Sequence, residues 1–125
     1  MTAWQWLRRR PVLYLWLPVV AWMGVIFFLS AQPDLPQPGT GWVDWLISSM
    51  AHTLLFGVLA LLWMRALGER RHAWLLAFAL SALYALSDEF HQVFVPGRTP
   101  DPWDLLFDGF GAALGLLLWA WWQRR

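Results

Sequence analysis

Four long apolar stretches set the pattern of this chain: residues 11–30, 45–64, 73–94 and 103–122, divided by short polar or Pro/Gly-rich segments. Each holds about 20 residues, which at 1.5 Å per residue crosses a hydrocarbon core ~30 Å thick as a helix. Backbone in lipid has to pair its N–H and C=O groups within its own segment, so such runs form helices and not open strands. The pattern predicts an all-α integral membrane protein, an antiparallel bundle of four transmembrane helices, with residues 1–125 as a single domain. Polar groups are not spread evenly along the runs. They gather in "SDEFHQVFVPGRTPDPWDLLFDGFGAALG", Ser87 to Gly115, which carries five acids between the third and fourth apolar cores.

The first run follows Arg8, Arg9 and Arg10, as the apolar part of a secretory signal would. It continues past the ~7–15 residues of a signal's apolar region, so it is read as a retained span, with a kink expected at Pro18. Composition strengthens the membrane reading: 59% of residues are hydrophobic, mean hydropathy is +0.45, and the chain has neither lysine nor cysteine. Without cysteine there are no disulfides, no thiol catalysis and no cysteine-ligated metal.

Charge then orients the bundle. Eight of the nine arginines lie ahead of the first run (Arg8, Arg9, Arg10), at the second–third connection (Arg65, Arg70, Arg71) or after the fourth run (Arg124, Arg125). Four spans place these three regions on one side, which the positive-inside rule makes cytoplasmic, with both termini there. Tryptophans agree, with Trp42, Trp45 and Trp103 at the outer ends and Trp63, Trp74, Trp119, Trp121 and Trp122 at the inner ends. Trp16 and Trp22, mid-span, do not fit a belt. The arginines are accounted for by topology and anionic lipid, so no nucleic-acid partner is expected despite a sequence pI near 8.4. The polar cluster falls at the outer mouth, with "AQPDLPQPGTG" as an expected roof.

Asp101 followed by Pro102 reads as a helix start, with Asp101 as N-cap and Pro102 at the first helical position. Asp104 then lies in the first turn, where a carboxylate complements the helix dipole. Asp108 has no such explanation. It lies a turn deeper, about 6 Å along the helix, on one stripe with Asp104, Gly111 and Gly115. The two glycines, four apart, allow a close approach between membrane helices, so the stripe faces protein. An acid at that depth marks a candidate functional site. On the third run Glu89 and Gln92 are read as inward-facing, with Ala82 and Ala85 as small packing residues, and His91 as part of a solvated helix end. His52, the only ionisable residue of the second run, reaches a similar depth. Arg98, in "VPGR", suits either an ion pair with Asp101 or Asp104, or a guanidinium clamp for a phosphate or carboxylate.

Glu89, Gln92, Phe94, Pro96 and Arg98 spell ExxQxFxPxR, followed by Asp101, Asp104, Gly111 and Gly115. Together with "LSAQP" (Leu29–Pro33) and His52, this resembles the VanZ-like family, small bacterial membrane proteins named for an association with teicoplanin resistance. The resemblance implies a multi-pass protein of the bacterial cytoplasmic (inner) membrane and marks Glu89, Gln92, Arg98, Asp104 and His52 as family positions. Two departures stand out: Asp108 where the family often has asparagine, and Ser48-Ser49 where it has an Asp-Lys pair. The missing lysine removes a cation that could balance the acids, and Asp108 adds an acid to the same cluster, which therefore either takes up a cation or retains a proton. The family name denotes a phenotype and not a reaction.

Two uses of the pocket stay open. In the first, an outer-leaflet enzyme acts on a lipid-linked cell-envelope component, with Glu89, His52 and Asp108 as catalytic candidates and Gln92, Arg98 and Asp104 binding substrate. Asp104, Asp108 and Glu89 are then the candidates to hold a divalent cation such as Mg²⁺, which favours oxygen ligands. In the second, the same pocket binds a lipid headgroup, cell-wall precursor, antibiotic or partner protein without catalysis. A homo-oligomer or a membrane partner suits either. An ion path lacks acids in the cytoplasmic half, and a purely structural role does not account for the shared depth of His52, Glu89 and Asp108.

Overall fold

The computed structural model describes residues 1–32 and 41–125, and all regular structure among them is helical. In chain order the helices are α1 (Ala3–Arg8), α2 (Pro11–Ser30), α3 (Trp42–Leu67), α4 (Ala73–Gln92) and α5 (Pro102–Gln123). The last four are long and apolar enough to cross a membrane. The expected roof over the mouth falls on residues 33–40, outside the described residues.

Local chemistry places the ends. Pro11 opens α2, whose helix continues through Pro18. The second apolar run predicts a helix over 45–64, but α3 reaches from Trp42 to Leu67 because glycines, not a fall in hydropathy, bound it. Gly41 and Gly68 take φ of 85° and 64°, backbone that side-chain-bearing residues rarely adopt. The third run predicts a helix as far as Phe94. Instead α4 stops at Gln92, and the chain turns through Val95 to Gly97, where φ is 78°. Asp101 caps α5 as expected, its carboxylate accepting the Trp103 N–H at 3.0 Å with Pro102 at the first position. The short α1 has no counterpart among the apolar runs; a reciprocal cap closes it, Thr2 Oγ1 accepting from the Gln5 N–H while Gln5 Oε1 accepts from the Thr2 N–H.

The closest helix pair is α3 with α5. Gly111 lies against the Thr53 backbone and Gly115 against Gly57. A Cβ built on Gly115 would sit 2.5 Å from the Gly57 carbonyl oxygen, and one on Gly57 3.1 Å from that of Gly111. Small buried residues of α4, Ala77, Ser81 and Ala85, let that helix close on the pair. From α2, the Trp22 Nε1–H donates to the Leu55 carbonyl at 2.8 Å, and Arg65 of α3 donates to the Tyr14 carbonyl at 3.3 Å. The Tyr84 hydroxyl of α4 donates to the Met23 carbonyl. Val19, Ile26, Phe56, Leu59 and Ala112 fill the interior, while Leu13, Phe28, Leu54, Leu83 and Leu117 face outward. Exposed leucine and phenylalanine cost nothing against lipid tails, which are as apolar as they are.

Two tryptophan readings change here. Trp63 does not belong to an interfacial belt: it is 9% exposed and packs edge-to-face on Trp16 at 5.9 Å. Trp16 and Trp22 sit mid-span because each is an interhelical contact, one by ring packing and the other by its indole hydrogen bond.

Candidate functional site

The start of α5 sets the geometry of the polar cluster. Capping at Asp101 fixes the helix phase, and the glycine stripe below it presses α5 onto α3. Since Gly111 meets the Thr53 backbone, the neighbouring His52 is drawn up to the acids one and two turns above Gly111 on the same stripe. His52 Nδ1 lies 2.6 Å from Asp108 Oδ1, and His52 Nε2 lies 3.5 Å from Asp104 Oδ2. The Asp108 side chain is wholly buried, and its second oxygen has no hydrogen-bond partner among the described residues. The first contact is a hydrogen bond slightly shorter than the usual charge-assisted N–H···O range of ~2.7–2.9 Å; the second is too long for a good hydrogen bond and is an ion-pair distance. An ionised Asp108 accepts from Nδ1–H, which fixes the imidazole orientation and tautomer.

A cavity of about 240 Å³ opens beside this pair, between α2, α3 and α4. His52, Asp88, Gln92, Ser30 and Arg98 make its polar part, and Ile26, Leu29, Ile47, Leu55 and Phe56 line the rest. Gln92 is 2% exposed and donates its amide N–H to Ser30 Oγ at 3.1 Å. Asp88, 5% exposed, faces the same space next to Ser30.

Of the residues singled out by sequence, His52, Asp104 and Asp108 come together, and His52, Gln92 and Arg98 share the cavity wall. Glu89 does neither. It is buried, but its Oε2 accepts the Asp101 N–H at 3.0 Å, so it ties the approach to α5 back onto α4. Arg98 makes no ion pair with Asp101 or Asp104: its Nε donates to the Gln32 carbonyl at 2.8 Å and Nη2 to that of Leu29 at 3.4 Å. Those are carbonyls at the end of α2, where helical partners run out. His91 is not a solvated end but stacks on Phe27, ring centroids 4.3 Å apart. Among the described residues, no three His, Asp or Glu side chains are arranged to hold a metal ion. Asp104 and Asp108 meet on the two nitrogens of one imidazole, while Glu89 turns to the α4–α5 connection.

Sequence reasoning missed Asp88 and Ser30 as parts of the wall. The signal for Asp88 was its position one helical turn before Gln92, on the same face.

No curated protein and no solved structure matches this chain. A family model described as VanZ/LLP1 matches residues 15–123, which takes in α3, α4 and α5, nearly all of α2 and every residue of the polar cluster. The chain belongs to the VanZ-like family and is a membrane protein of that family.

Proposed function

We propose that the chain is a single-domain, multi-pass protein of the bacterial inner membrane whose outward-facing cavity takes the headgroup of a lipid-linked cell-envelope component. His52, oriented by Asp108, acts on that headgroup as a general base. The observation that carries this reading is the 2.6 Å contact of His52 Nδ1 with a fully buried Asp108 carboxylate, in the wall of a cavity. An imidazole held this way by an acid takes a proton from a bound hydroxyl or water, a contribution of about 10²–10⁴-fold where it operates. Gln92, Asp88 and Arg98 contact the bound group. Asp104 balances the imidazolium that forms, and Glu89 positions the start of α5 instead of reacting.

Size and lining select the class of ligand. A volume near 240 Å³ falls below the ~300–1,000 Å³ that encloses a drug-sized molecule. A glycopeptide antibiotic does not fit inside, so a teicoplanin response would run through an altered envelope component. A headgroup fits, and the apolar wall suits the first carbons of its lipid chain. Orientation rests on two supports. The pairs Trp22 with Leu55 and Tyr14 with Arg65 favour opposed directions for α2 and α3, and the arginine bias favours both termini in the cytoplasm.

The test is to reconstitute the full chain in vesicles of bacterial lipid extract and follow lipid composition over time by mass spectrometry, wild type against His52→Gln. Loss of one lipid class with wild type alone is the expected result. Stoichiometric retention of a lipid that is never altered would assign the cavity to binding without catalysis, and the absence of both turnover and retention would overturn the lipid reading.

A further inference from the structure

The charges at this end of the bundle do not balance. Six acids of the described residues lie there, Asp44, Asp88, Glu89, Asp101, Asp104 and Asp108, against His52, His91 and Arg98. His52, the proposed base, is held by Asp108 with its Nε2 3.5 Å from Asp104, Arg98 donates to the carbonyls of Gln32 and Leu29, and His91 stacks on Phe27. Asp88 forms no ion pair among the described residues, although it is 5% exposed. Residues 33–40, "PDLPQPGT", contain no arginine, lysine or histidine, so that segment has no cation to offer it.

Ser30 lies beside Asp88 and the Arg98 guanidinium shares its cavity, but no cation is in ion-pair contact with it, and the cost of burying that carboxylate falls further if a ligand brings one. The space beside Asp88 is the cavity itself. Gln92 has given an amide N–H to Ser30, which leaves its carbonyl oxygen as a second acceptor on the same helix face. A carboxylate and an amide oxygen one helical turn apart match the three N–H donors of a primary ammonium. A phosphate would meet like charge there, and a trimethylated nitrogen has no N–H to donate.

We propose that the cavity is selective for a headgroup carrying a primary ammonium, received by Asp88 with Gln92. This rests on the reading of the cavity as a headgroup site. Asp88 is thereby a specificity-determining residue that decides which lipid enters, while His52 and Asp108 act on the lipid once it is bound.

The experiment loads the purified full chain with an equimolar mixture of phosphatidylethanolamine, phosphatidylglycerol and phosphatidylcholine of identical acyl chains, and reads retained lipid by native mass spectrometry. Wild type retains phosphatidylethanolamine about tenfold over the other two, the scale of one charge-assisted hydrogen bond. Asp88→Asn, which keeps the side-chain shape, loses that preference. Displacement by excess free ethanolamine would show that the ammonium suffices; failure to displace assigns recognition to the lipid as a whole, and both support the proposal. Preference for phosphatidylglycerol, equal retention of all three, or an unchanged preference in Asp88→Asn overturns it while leaving the headgroup reading intact. Retention of no lipid by wild type sinks both. If Asp88→Asn does not fold, the wild-type ranking of ethanolamine over choline still decides.

Discussion

His52 and Asp108 carry the proposed chemistry, and they test differently from ordinary packing residues. Replacing Asp108 with alanine leaves an imidazole facing a hole in low dielectric, and should cost about 3 kcal/mol or more, the scale of breaking a buried pair. Asp108→Asn keeps the volume but offers an amide N–H, so His52 Nδ1 becomes the acceptor and the proton moves to Nε2. The expected outcome is a protein that melts within a few degrees of wild type, shows the opposite His52 tautomer by ¹⁵N NMR, and has lost turnover. An unchanged tautomer would break the link between Asp108 and base function. Much of this pair was legible in sequence, because Asp108 lies too deep to be a cap and His52 stands alone in an apolar run. The choice between Asp88 and Glu89 was not. They are neighbours about 100° apart on one helix, and only the rotation set by packing decides which faces the cavity and which the α4–α5 connection. The ion pair expected of Arg98 failed for a similar reason, since the acceptor it takes instead, the Gln32 carbonyl just past α2, lies 66 residues away in the chain.

At the scale of elements, the α3–α5 contact holds the site together, and glycines that look alike in sequence differ in it. A Cβ on Gly111 would run into the Thr53 backbone, which has no rotamer by which to yield, whereas a Cβ on Gly109 meets nothing within 4 Å. Gly111→Ala should therefore destabilise by about 1–3 kcal/mol, the usual cost of overpacking. Gly109→Ala should be neutral or stabilise by up to ~1 kcal/mol through helix propensity. Unfolding in mixed micelles with rising SDS separates the two, and equal effects would mean that α3 and α5 are not in backbone contact. Gly111→Ala should also weaken lipid retention, because the same contact brings His52 to Asp108. The glycine spacing announced a close approach; that α3 is the partner was not written in it, since small residues encode distance and not the identity of the neighbour.

For the whole molecule, the question is which side of the membrane the cavity faces. The arginine distribution gives a cytoplasmic assignment to the α3–α4 connection and, by the count of spans, an outer assignment to the α4–α5 connection. The outer-leaflet reading depends entirely on it, since Arg98, Asp101 and the start of α5 lie at the cavity end of the bundle. A chain without cysteine makes the test direct, because any introduced thiol is unique. Thr99 and Glu69 are both exposed, one in each connection, so Thr99→Cys and Glu69→Cys disturb neither packing nor the polar cluster. In intact cells a membrane-impermeant maleimide should label Thr99→Cys and leave Glu69→Cys unmodified until lysis. The reverse pattern would turn the cavity toward the cytoplasm, where the available headgroups are those of the inner leaflet. Envelope intermediates displayed outside would then be out of reach. The His52–Asp108 pair would survive that outcome as a local geometry, but its substrate would have to be sought among lipids made or modified on the cytoplasmic face.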